Sequence, residues 1–139
     1  MRSWQEMNPL TLAYLGDAVY ELWVRTHLLE SGYEKVKDLH KQAISYVRAG
    51  TQARVLQALL PELDEVEHQV VLRGRNAKGG YPKNVDVVTY RHATAFESLV
   101  GYWQLTGQVQ RMQWAFSRVD EIMGEGPTEE SSMENLLEE

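Results

Sequence analysis

The 139-residue sequence predicts an all-α domain, and three observations carry that expectation. Apolar residues recur at spacings of three and four in one segment after another. No segment shows the strict alternation of a half-buried strand. Gly, Pro and Asn punctuate the chain at helix-length intervals. Short helices joined by tight turns give a bundle, and a chain of this length suits one compact domain.

Asn8 is a good N-cap and Pro9 suits the first helical position, where its missing N–H costs nothing, so a long helix should begin there and stop at Gly32. Its core stripe is expected along Leu12, Leu15, Val19, Leu22, Thr26 and Leu29. A second helix from Val36 to Arg48 should turn Leu39, Ala43, Ile44 and Val47 inward. A third carries Ala53, Val55, Leu56, Leu59 and Leu60 until Pro61 stops it. Glu62 to Lys78 reads as a fourth, with Val66, Val70 and Val71 inside. Gly79 to Val88 has the composition of an exposed irregular loop. Thr89 can cap the next helix, which holds Ala93, Phe96, Leu99, Val100 and Trp103. The last holds Val109, Met112, Trp114, Ala115, Phe116, Val119 and Ile122. From Gly124 the composition is that of a flexible acidic tail, giving a domain of residues 1–123 and a tail of 124–139.

The net charge of -6 is unevenly distributed. Residues 120–139 hold eight acids and no Lys or Arg; without them 12 acids face 14 basic residues, so the body is mildly basic. Its most basic stretch contains Arg73, Arg75, Lys78, Lys83 and Arg91 against Asp86 alone, and is the expected seat of a polyanion. With no cysteine, disulfides and thiolate metal sites are excluded and a reducing cytoplasmic setting is expected. The opening MRSWQEMNP lacks the apolar centre of a signal peptide, and no apolar run approaches the ~18 residues that cross a bilayer. No membrane association is expected.

Two carboxylates stand out. Asp17 has Ala13, Tyr14 and Tyr20 as helical neighbours and a second acid, Glu21, one turn on. A carboxylate in such a setting needs a cation such as an arginine of another helix, a metal, or a set of hydrogen bonds from elsewhere. Gly16 beside it costs a helix about 1 kcal/mol relative to alanine, so it marks a close approach. Glu97 repeats the pattern, with Ala93 and Thr94 before it and Val100 and Gly101 after. Two helices crossing closely at small residues could bring both acids to one hard cation, for which magnesium is suited. The four histidines lack zinc-site spacing, RGRNAKGG lacks the ending of a P-loop, and no serine lies in a GxSxG context.

The segments LTLAYLGDAVYELWVR (Leu10 to Arg25) and YRHATAFESLVGYW (Tyr90 to Trp103) resemble the ribonuclease III signature ERLEFLGDAVL and that family's DxxEALIGA segment. Between them LHKQA, RGRNAKGG and PKNVDVVTYR resemble its shorter Mini-III branch, bacterial enzymes with the nuclease domain and no separate RNA-binding domain. The likeness runs from about Pro9 to Gln104, in order. It implies a ribonuclease III-like helical bundle in which Asp17 and Glu97 are the catalytic, metal-binding acids. Where ribonuclease III has further acids this chain has Leu10, Ala13 and Thr94, a reduction in which Mini-III proteins resemble it. Fewer acids imply fewer protein–metal bonds and more water or phosphate ligands.

The resemblance further implies hydrolysis of double-stranded RNA with Mg2+, for which Mn2+ could substitute. Arg73, Arg75, Lys78, Lys83 and Arg91 would grip the duplex. Dimerisation would run through the signature helix, with Leu10, Tyr14 and Trp23 at the interface. The implied substrate is the large-subunit (23S) ribosomal RNA precursor, presented with help from a large-subunit ribosomal protein. A non-catalytic, RNA-binding or ribosome-associated member of the family is the alternative, kept open by Ala13 and Thr94. A helical pyrophosphohydrolase would need ExxE followed by ExxD; Glu62 and Glu65 supply the first pair and nothing supplies the second.

Overall fold

The computed structural model describes residues 2–125, and among these every regular element is a helix, with no strand. Six α-helices follow in order: α1 (Pro9–Glu30), α2 (Val36–Val47), α3 (Ala49–Leu59), α4 (Glu65–Arg75), α5 (Val87–Leu105) and α6 (Val109–Glu125). Single 3-10 turns at Trp4–Glu6 and Leu60–Glu62 precede α1 and follow α3. Of the acidic tail expected from Gly124, residues 126–139 lie outside the described residues, while α6 includes Gly124 and Glu125.

Asn8 caps α1 as expected, its Oδ1 accepting from the Leu10 N–H at 2.9 Å. Gly32, at φ +99°, ends it in the left-handed conformation that lets the Tyr33 N–H reach the Leu28 carbonyl. The fourth helix is shorter than Glu62 to Lys78. Pro61 holds Leu60–Glu62 in a 3-10 turn, and α4 starts only after a reciprocal capping box between Asp64 and Glu67. The α5 cap is Asp86, not Thr89. The Asp86 carboxylate accepts from both the Thr89 N–H (3.1 Å) and the Thr89 hydroxyl (2.6 Å), so the helix begins three residues earlier.

The bundle is organised around α5. From Ala93 to Trp103 every residue but Glu97 is buried, which only a helix surrounded on all sides allows. Helix α1 crosses it, α3 and α4 flank it, and α6 closes the core with Met112, Ala115, Phe116, Val119 and Ile122. The stripe expected on α1 is corrected: the buried line is Leu12, Gly16, Tyr20, Val24 and Leu28, with Ala13, whereas Leu22 and Leu29 face outward. Several stripes of α1 are apolar, and the one that turns inward holds the glycine that lets α5 approach. Helix α2 lies at the periphery and buries no residue completely.

One buried charge ties three helices together. The wholly buried Glu67 of α4 accepts from Arg111 of α6 at 2.6 and 2.9 Å, from the Trp103 indole of α5 at 2.7 Å, and from the Asp64 N–H at 2.9 Å. Burial alone pushes the Glu67 carboxyl up. The Arg111, Asp64 and Trp103 hydrogen bonds outweigh it and hold the group below its ordinary range, so it stays ionised and fully paired.

Candidate active site

The site is set by a backbone-to-backbone crossing. A Cβ on Gly16 of α1 would collide with the Glu97 carbonyl of α5 and stand 2.9 Å from the Gly101 nitrogen. A Cβ on Gly101 would strike the Leu12 carbonyl. The two glycines therefore lie against each other's helix, where no side chain fits. Asp17, next to Gly16, is carried by this crossing to the Glu97 side chain. The Ser98 hydroxyl, donating to the Pro9 carbonyl at 3.0 Å, fastens the start of α1 to α5, and Gly74 lets α4 rest on Ala95 and Ser98.

The electrostatics of the pair are those of an uncompensated acid. The Glu97 carboxyl is pushed up to about 9, first by burial and then by its hydrogen bond with Asp17 and the charge there. Asp17 itself is solvent-exposed. Among the described residues the ion pairs are Arg25–Glu21, His27–Asp120, Arg111–Glu67 and Arg118–Glu121, and no base faces Asp17 or Glu97. A structural salt bridge for Asp17, open on sequence alone, is thus not what the fold provides. Two adjoining carboxylates without a base either share a proton or take a cation. An all-oxygen pair fits a hard divalent ion that keeps most of its water. No third acid or histidine joins them among the described residues; Ala13 and Thr94 are buried beside them instead.

Of the basic residues, Arg73 and Arg75 lie at the end of α4, Lys78 and Lys83 in the loop after it and Arg91 on the second turn of α5, all exposed. Arg73 is partly committed, donating to the Met7 carbonyl at 2.9 Å. Leu10 and Tyr14 are exposed on α1, Tyr14 by 84%. Trp23 is half-buried and stacks within its own chain on His27 (4.8 Å) and Phe116 (5.0 Å), so of the three expected interface residues Leu10 and Tyr14 are the more exposed.

The ribonuclease III domain family matches residues 10–108, the stretch that contains the crossing and both carboxylates. The chain belongs to the ribonuclease III family. Its relatives place it in the short branch. It is 67% identical over 138 residues to the Mini-ribonuclease 3 of Desulfitobacterium hafniense (strain Y51), covering 99% of this chain and 88% of that one. It is 56% identical over 107 residues to the Mini-ribonuclease 3 of Symbiobacterium thermophilum, covering 76% and 82%. The fold matches the crystal structure of protein FN1578 from Fusobacterium nucleatum with a TM-score of 0.77 at 29% identity, over 82% of this chain and 93% of that one. As a ribonuclease III enzyme the chain is a double-strand-specific endoribonuclease.

Sequence reasoning found both acids and both glycines of the crossing. It assigned no role to Tyr90, although Tyr90 stands seven residues before Glu97 and therefore on the same helical strip.

Proposed function

We propose that Asp17 and Glu97 hold a magnesium ion with which the chain hydrolyses the phosphodiester bonds of an RNA duplex, and that its substrate is the stem of a large-subunit ribosomal RNA precursor in the cytoplasm. The observation that carries the metal assignment is the adjoining pair of carboxylates with no base facing it. When bound, the cation supplies an acidified water and neutralises charge on the phosphate and the departing 3'-oxygen. Asp17, the exposed member, faces the approaching phosphate; Glu97, the half-buried one, is fixed by the helix crossing and releases its proton as the site loads. Water adds to phosphorus, the P–O3' bond breaks, and the strand ends in a 5'-phosphate and a 3'-hydroxyl.

Two copies would pair through the exposed Leu10 and Tyr14 of α1, with Trp23 behind them, so that each site addresses one strand. The basic set Arg73, Arg75, Lys78, Lys83 and Arg91 supports binding of the duplex backbone, because an A-form major groove is too narrow for side chains to read. No helix among the described residues is long and apolar enough to cross a membrane. A large-subunit ribosomal protein would present the stem.

The deciding experiment is cleavage of a labelled ribosomal precursor stem with and without Mg2+. Site-specific cutting of the duplex, abolished by chelation and restored by Mg2+ or Mn2+, is expected. A chain that binds the stem and leaves it intact in saturating Mg2+ would return the non-catalytic alternative. The basic set is tested separately: Lys78→Ala with Lys83→Ala should weaken binding and lower the log–log salt slope by about 0.9 for each phosphate no longer neutralised. An unchanged slope places the RNA on another face.

A further inference from the structure

A second, smaller feature has its nearest wall one helical turn from Glu97. Leu10 of α1, Ala77 after α4, Tyr81 of the loop, and Tyr90, Arg91 and Thr94 of α5 line a cleft of about 20 Å³. Gly79 closes it against Leu10, its Cβ position 3.0 Å from the leucine Cδ1. Thr94 stands one helical turn before Glu97, so the cleft lies beside the reacting centre and on the side from which the basic loop approaches. Its polar groups are unspent. The Thr94 hydroxyl gives its proton to the Tyr90 carbonyl at 3.1 Å and keeps its lone pairs. The Tyr81 and Tyr90 hydroxyls and the Arg91 guanidinium make no side-chain hydrogen bond or ion pair among the described residues.

Size decides what can enter. A volume of about 20 Å³ exceeds the roughly 10–15 Å³ one water needs, so the space within its walls suits one small polar group better than a ring. A phosphate's charge would also meet a single cation, Arg91, beside the apolar walls of Leu10 and Ala77. A neutral hydroxyl, which donates and accepts, matches phenol and threonine partners. We propose that the cleft receives one 2'-hydroxyl of the strand being cut, from a nucleotide next to the scissile phosphate, and that Tyr90 is the residue that reads it. The 2'-hydroxyl is what distinguishes RNA from DNA at a given site. The proposal rests on the cleavage of duplex RNA at Asp17 and Glu97.

The test uses a set of RNA duplexes, each with one 2'-deoxy nucleotide, walked across three positions on either side of the cut. Affinity is read by fluorescence anisotropy without Mg2+ and cleavage by single-turnover rates with it. Wild type should lose about tenfold in affinity at one position, the scale of one well-placed hydrogen bond. Tyr90→Phe, which keeps the ring, should show that same loss on the all-RNA duplex and no further loss from the deoxy substitution there. Thr94→Val gives a second variant with its shape retained. The proposal is overturned if no position is singled out, or if Tyr90→Phe keeps the deoxy penalty. It is equally overturned if Tyr90→Phe instead becomes indifferent to a methylphosphonate at the neighbouring linkage, which makes the cleft a phosphate site. Absence of cleavage on every duplex sinks the nuclease assignment, and the affinity arm still reads the subsite.

Discussion

Glu97→Gln and Asp17→Asn are each expected to slow duplex cleavage by about a thousandfold or more, about 4 kcal/mol in the barrier, while the protein stays folded and binds RNA. Either variant retaining more than about a tenth of wild-type turnover in saturating Mg2+, a loss below ~1.4 kcal/mol, removes that residue from the metal site. Stability gives an independent readout. The folded value of Glu97 is raised to about 9 from an ordinary 4.5, so the stability it contributes is fully present below pH 4.5 and is lost as pH rises through 9. Metal-free wild type should therefore weaken across that window. Glu97→Gln, which cannot ionise, should flatten the decline. Because the cation competes with the Glu97 proton, Mg2+ should raise the Tm of wild type more at pH 9 than at pH 6, and should leave both variants unmoved.

Gly16→Ala and Gly101→Ala are expected to be the most damaging single-methyl additions in the chain, each costing about 3 kcal/mol or more by denaturant titration. In both, the new Cβ meets a carbonyl of the opposing backbone, Glu97 at one and Leu12 at the other, and no flexible side chain can move aside. Alanine has the higher helix propensity by ~1 kcal/mol, so propensity alone predicts the opposite sign. Gly50, in the first turn of α3 with nothing within 4 Å of its Cβ position, is the control. Gly50→Ala should be neutral or stabilise by up to ~1 kcal/mol. Equal responses at Gly16 and Gly50 would mean that the helices do not cross backbone to backbone. A tolerated Gly16→Ala that spares stability yet displaces Glu97 should still depress cleavage.

The sequence by itself determined the helical class, the cap at Asn8 and the stop at Gly32, because these are local matters of periodicity, φ and unsatisfied N–H groups. It also singled out Asp17 and Glu97, since a helical carboxylate beside a glycine is odd on any reading of neighbours alone. Only the tertiary structure decided which stripe of α1 turns inward. Leu22 and Leu29 have the hydrophobicity for the core, yet packing selects the face where Gly16 lets α5 approach, and periodicity carries no record of a partner's shape. The same limit applies to Glu67, an ordinary first-turn glutamate in sequence. Its burial depends on Arg111 and Trp103, 44 and 36 residues away. The stacking of Phe116 on Trp23 also joins residues far apart in sequence. The cleft at Tyr90 likewise exists only where three chain segments meet. Local chemistry is written in neighbouring residues, whereas which polar groups are left unpaired depends on segments brought together from far along the chain.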